Sequence, residues 1–165
     1  MSAARFPTRE EIASRPESVQ RIGAITASMI QRYAIAVGDH NPLYFDAAYA
    51  RACGYAGIIA PPTMLAAVLG WQAGPAEGAL MADGSDPALV IPETVGFKFM
   101  GGGQALTFME PVNLGDVVTA RKRLVDIYER QARAGALVFV VSETLYANQH
   151  GRPLMRCRET LIASP

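Results

Sequence analysis

Residues 64–72, MLAAVLGWQ, are apolar almost all the way round a helical wheel. Met64, Leu65, Ala66, Ala67, Val68, Leu69 and Trp71 leave no polar stripe, so a helix here has to be buried rather than half exposed. It starts at Pro61-Pro62-Thr63, and proline suits a first helical turn, where its missing N–H is not needed. Further on the apolar period changes. Val95, Phe97 and Phe99 alternate, which predicts a strand. The run Gly101-Gly102-Gly103 is expected to break it, with residues 105–110 resuming. Residues 117–128, 136–147 and 154–162 are long strand candidates separated by 133–135 and 148–151. Connections that short pair strands antiparallel, as a meander. Helices first, strands after and one fully buried helix define an α+β fold, an antiparallel sheet curling around a central helix.

The first half carries conventional helix signals. Residues 1–23 read as an N-terminal arm, with one helical turn after Thr8, where Thr8 and Glu11 have capping-box spacing. Residues 26–37 form a helix: Met29, Tyr33 and Val37 recur at helical spacing, with Ser28, Gln31 and Arg32 towards the other side. Gly38 ends it. Asp46 caps a short helix through Cys53, closed by Gly54. Residues 74–87, rich in Gly, Ala, Pro and Asp, read as a loop. Residues 24–165 are expected to form a single domain.

Composition narrows the function classes. The 165 residues carry 15 basic and 15 acidic side chains, for zero formal charge, and half of them are apolar. Arg121-Lys122-Arg123 is the one notable basic run, the usual solvated face of a strand, so no nucleic-acid partner is expected. No apolar run reaches the ~18 residues of a membrane helix, and residues 1–15 lack the apolar core of a secretory signal. Cys53 and Cys157 are the only cysteines and form no CxxC pair. Both are expected to be buried thiols of a cytoplasmic protein. With two histidines and two cysteines, a metal site has almost no ligands to draw on.

The loop Asp39-His40-Asn41-Pro42-Leu43-Tyr44 is the candidate for chemistry. Asp39 and Asn41 are ordinary turn residues beside Gly and Pro, whose side chains satisfy local N–H groups. The start of the buried helix offers a second ingredient, free N–H groups able to polarise a thioester carbonyl. A carboxylate near it in an apolar pocket suits a general base.

These residues belong to one long stretch. Residues 36–63, AVGDHNPLYFDAAYARACGYAGIIAPPT, together with Gly102-Gly103-Gln104 and FMEPVNLGD at 108–116, resemble the MaoC-like (R-specific enoyl-CoA) hydratase/dehydratase family in its N-terminal-half version. The resemblance runs over residues 24–162. It implies the hotdog fold, a sheet wrapped around a central helix. It also implies an activity in fatty acid metabolism, water added to or removed from the C2–C3 bond of an acyl-CoA. Coenzyme A would then be part of the substrate, with no separate cofactor. In active members a D-x-N-P-x-H motif holds the water between Asp and His. Here that motif supplies Asp39 and Asn41, and Tyr44 stands at the histidine. Active members also enter the buried helix through His-Gly, whose Gly N–H binds the thioester oxygen; the matching residues are Pro61 and Pro62, and proline has no N–H to give. Losing such a donor costs about 2.7–4 kcal/mol of transition-state stabilisation.

Several residues therefore compete for roles. His40 or Tyr44 are candidates for the missing proton carrier, although adjacent side chains such as Asp39 and His40 usually point apart. The N–H of Thr63 or Met64 is a candidate substitute donor, with Pro62 beside it. Gly102 and Gly103 allow close approach by a ligand or partner. Asp116 and His150 read as turn residues, and Met64, Trp71, Phe97 and Phe99 as core. Three functions stay open: the acyl-pocket half of a paired hydratase/dehydratase, a self-sufficient homo-oligomeric hydratase, and a non-catalytic acyl-CoA-binding module. The first two require another hotdog subunit, which would also cover an exposed sheet edge.

Overall fold

The computed structural model describes residues 6–68, 76–81, 91–94, 96–132 and 135–164. In chain order the elements are α1 (Arg9–Ala13), β1 (Ser18–Ala24), α2 (Ala27–Ala36), a 3-10 turn at Pro42–Tyr44, α3 (Ala47–Ala52), α4 (Met64–Val68), 3-10 turns at Glu77–Ala79 and Pro92–Thr94, and then β2 (Lys98–Phe108), β3 (Val117–Ala132), β4 (Gly135–Ala147) and β5 (Pro153–Ser164). The strands form one antiparallel sheet in the order β1-β3-β4-β5-β2. The expected meander is β3-β4-β5, and β1 and β2 close its two edges.

The helix ends follow the sequence signals. Thr8 and Glu11 make the full capping box of α1. The Thr26 hydroxyl accepts from the Met29 N–H at the start of α2, and Gly38, at φ 71°, turns the chain after its end. Asp46 Oδ1 accepts from the N–H groups of Ala48 and Tyr49 at 2.8 and 3.0 Å, capping α3.

Two expectations about the strands are corrected. Residues 1–23 are not all arm: Ser18–Ala24 is strand β1, paired with β3 from Ser18↔Lys122 to Ala24↔Val117. An edge strand has one partner and an exposed face, so its sequence shows little alternation, and Val19 is 55% exposed. The glycine run does not break β2. The strand continues from Lys98 to Phe108 across a register shift between Gly101 and Gly103. This is a bulge, and Gly102 fits because a Cβ there would lie 2.9 Å from the Thr160 carbonyl oxygen.

Helix α4 lies in the core as expected. Met64 and Leu65 are fully buried and Val68 nearly so, packed with Ile30 and Ala34 of α2 and with Val118, Ala120, Tyr146 and Cys157 of the sheet. The rest of the expected helix, residues 69–72, lies outside the described residues, as do Trp71, Val95, and most of the expected loop at 74–87. A second cluster joins Ile12 of α1 to Ile127, Val138, Val140 and Ala163, so the N-terminal turn is tied to the far end of the sheet. Phe97 is half buried against that cluster, but Phe99 is exposed on edge strand β2 rather than core. Cys157 is buried and Cys53 is exposed, against the expectation for the latter. Cys53 follows α3 on its outer side, and Ala50 is the residue that helix buries. Among the described residues no helix is long and apolar enough to cross a membrane.

Candidate active site

The loop after α2 is organised by its own side chains. The Asp39 N–H donates to the Ala34 carbonyl at 2.9 Å, which fixes Asp39 at the helix end. Asp39 Oδ1 accepts from the Asn41 N–H at 3.1 Å, and Asn41 Oδ1 accepts from the Leu43 N–H at 3.0 Å. Asn41 thereby caps the 3-10 turn that Pro42 opens. That turn drives Tyr44 inward until it is only 5% exposed.

Tyr44 meets Asp39 there. Burial raises the Tyr44 pKa above its ordinary 10, and the charge of Asp39 and a hydrogen bond to it raise it further. The phenol stays protonated beside the carboxylate. A phenol made less acidic in this way is a poor proton donor to substrate and a good restraint on Asp39. His40, next to Asp39, is exposed and makes no side-chain hydrogen bond among the described residues. Asp39, Asn41 and Tyr44 are brought together, and His40 is exposed beside them.

The start of α4 is held independently. The Ile59 N–H donates to the Leu43 carbonyl at 3.2 Å and the Ala60 N–H to the Val112 carbonyl at 2.8 Å. This clamps residues 58–60 between the candidate loop and the β2–β3 turn. Asp116 shapes that turn as the sequence suggested: it is 7% exposed, and its Oδ2 accepts from the Asn113 N–H at 2.8 Å. Pro61 is buried and Pro62 exposed. Of the two substitute donors, the Met64 N–H is taken by the Pro61 carbonyl at 3.0 Å, whereas the Thr63 N–H has no acceptor among the described residues.

The sequence reading missed Tyr33. Its hydroxyl lies 3.0 Å from Thr63 Oγ1, joining α2 to the start of α4. Tyr33 also lines a groove of about 520 Å³ along α2 with Ser28, Met29, Arg32, Ala36 and Val37. Asp39, His40 and Asn41 do not line it, so this groove and the carboxylate loop are separate features. Tyr33 stands at helical spacing from Met29 and Val37 and reads as one more member of an apolar stripe; only the tertiary fold brings Thr63 to it. Gly102 and Gly103 lie on β2, where the close contacts of Gly102 are Thr160 and Ile162 of β5.

A buried helix start wrapped by an antiparallel sheet, with an aspartate-bearing loop beside it, defines a hotdog of the MaoC-like dehydratase class. The family described as FAS1-like, dehydratase domain region, matches residues 18–157, and the chain belongs to it. Among curated relatives, a UPF0336 protein of Thermobifida fusca is 37% identical over 103 residues, 62% of this chain and 61% of its own length. The match thus spans about six tenths of that relative. The 3-oxo-4,17-pregnadiene-20-carboxyl-CoA hydratase alpha subunit of Mycobacterium tuberculosis is 49% identical over 41 residues, 25% of this chain and 13% of its own. Among solved structures, the ChsH1-ChsH2 complex of Mycobacterium tuberculosis superposes with a TM-score of 0.75 at 22% identity, over 92% of this chain and 85% of that one.

Proposed function

We propose that this chain is the acyl-pocket half of a CoA-thioester hydratase/dehydratase, completed by a second hotdog subunit that carries an intact Asp-His pair. The observation that carries this reading is the Tyr44–Asp39 pair. Hydration places hydroxide on C3 and a proton on C2 of the enoyl thioester, and dehydration reverses this; either direction needs a group that passes a proton near neutral pH. Tyr44 is buried and less acidic than a free phenol, and His40 is exposed. Neither suits that task, and the proline pair withholds the donor that would hold the thioester oxygen. The Thr63 N–H remains as a contact for the acyl-CoA.

Edge strand β2 supports the need for a partner. It is 11 residues long, and Met100 and Phe108 are 52% and 51% exposed on it. A long apolar edge with free backbone groups is normally paired. The curated relative that is a CoA hydratase is named as an alpha subunit, and the superposed hotdog comes from a two-component complex, which agrees with a paired arrangement. Two free cysteines fit a reducing cytoplasm.

The test is to purify the chain, add crotonyl-CoA and longer enoyl-CoAs, and follow loss of the enoyl-thioester absorbance. No turnover alone, with turnover once a hotdog partner encoded beside it is added, supports the proposal. Tight binding without turnover in any pairing would instead make the chain an acyl-CoA-binding module.

A further inference from the structure

The inner face of the sheet is not continuously apolar. Directly opposed residues of an antiparallel sheet share a face. Through the registers Ala120↔Tyr146↔Met155 and Ile127↔Val140↔Leu161, both hydrophobic clusters lie on the inner side. Between them run two polar rows on that same side. One is Lys122↔Thr144↔Cys157 and the other is Leu124↔Ser142↔Glu159↔Gln104. Lys122 Nζ reaches across β4 to Glu159 Oε2 at 3.6 Å, and Gln104 Nε2 donates to Glu159 Oε1 at 3.1 Å.

Structural economy does not account for this band. A partly exposed ion pair contributes little net stability, because solvent screens its attraction and fixing two long side chains costs entropy. The hydroxyls beneath it point the same way. Ser142 and Thr144 are 8% and 6% exposed, and neither side chain has a hydrogen-bond partner among the described residues. No fully buried polar side-chain atom among those residues is left without a partner. Both hydroxyls therefore open onto space that a solvent-sized group reaches. Lys122 and Glu159, at 38% and 30% exposure, border the same space.

We infer that the band formed by Lys122, Ser142, Thr144, Glu159 and Gln104 is a specificity site for an uncharged oxygen function, a hydroxyl or ketone, carried on an otherwise apolar acyl group. The apolar clusters on either side match the hydrocarbon. The band offers donors in the Lys122 ammonium, the Gln104 amide and the two hydroxyls, and acceptors in Glu159 and the same hydroxyls. Its charges cancel, so it matches a neutral polar group better than a phosphate or carboxylate. A plain hydrocarbon laid there would strip water from these groups and return no hydrogen bonds, which is how a polar pocket rejects it.

This inference rests on the acyl-CoA reading above, and two probe series separate the two. In the first, calorimetry measures binding of dodecanoyl-CoA and of dodecanoyl-CoA hydroxylated at successive carbons beyond C3; in the second, the same free acids are used without CoA. At one or more hydroxyl positions the oxygenated probe should bind about tenfold tighter than the plain one in both series. Thr144→Val keeps the side-chain shape and should erase most of that preference, weakening the hydroxylated probe without weakening the plain one; Lys122→Met should do the same, with thermal melts reporting that each variant is folded. A preference seen with the free acids but no effect of CoA on affinity overturns the acyl-CoA reading and keeps the band. Equal binding of plain and hydroxylated probes in both series, or equal loss of both in Thr144→Val, overturns the band.

Discussion

The buried phenol of Tyr44 sits by Asp39, and burial and the neighbouring carboxylate make it less acidic. The carboxylate that most resembles a catalytic base accepts from the Asn41 N–H and has the buried Tyr44 phenol beside it. Such a carboxylate can still order a water, and under the proposed function the proton carrier comes from the partner subunit.

The pair has a pH signature. The folded pKa of Tyr44 lies above its unfolded value, so its contribution to stability is fully present below pH ~10 and is lost as pH rises through the folded pKa. Tyr44→Phe removes a buried hydroxyl beside Asp39 and should cost about 1 kcal/mol at neutral pH. Urea unfolding of both proteins should show that difference shrinking at pH ~11, where the native chain has begun to lose the linkage energy. A difference constant over this range would mean that the phenol is not coupled to folding.

Tyr33 and Thr63 should behave as a unit. Tyr33→Phe and Thr63→Val each break the same 3.0 Å bond, so each should cost roughly 1 kcal/mol and the double variant little more than either. Additive losses in a double-mutant cycle would place the two side chains apart.

Much of this was legible in the sequence, and what was not has a physical cause. Caps act over three or four residues, so Thr8, Thr26, Asp46 and Gly38 announce their helices locally. The buried face of α4 follows from an unbroken apolar run, and the β3-β4-β5 meander from long strand segments joined by short turns. Strand β1 was hidden because its pairing to β3 spans about a hundred residues and its exposed face carries no pattern. The glycines at 101–103 read as a break because a bulge and a break use the same residues; Thr160 on the adjacent strand decides between them. The loop motif placed Asp39, Asn41 and Tyr44 together, but the Tyr33–Thr63 bond and the polar band arise only when distant segments meet.

Gly102→Ala tests the bulge. Its Cβ would press on the Thr160 carbonyl and on the Ile162 side chain, and backbone cannot retreat cheaply. We expect a loss of about 1–3 kcal/mol, read as a lowered melting temperature. Gly101→Ala, where a Cβ meets nothing within 4 Å, should be much milder. Equal effects would contradict a bulge packed on β5.

Asp116→Ala should loosen the β2–β3 turn that clamps residues 58–60. The carboxylate accepts from Asn113 at 2.8 Å and from Asn148 Nδ2 at 3.4 Å while nearly buried. Orphaning these donors costs about 1–3 kcal/mol. Hydrogen exchange should show the Ala60 N–H losing protection in the variant; unchanged protection would detach the turn from the site.

The most direct measurement is steady-state hydration of crotonyl-CoA by the chain alone, by the chain with its hotdog partner, and by the pair in which either subunit has lost its aspartate. The account predicts no turnover alone, turnover in the pair, loss of that turnover when the partner's aspartate is replaced, and retention of most of it in Asp39→Ala. Turnover by the isolated chain that disappears in Asp39→Ala would contradict it.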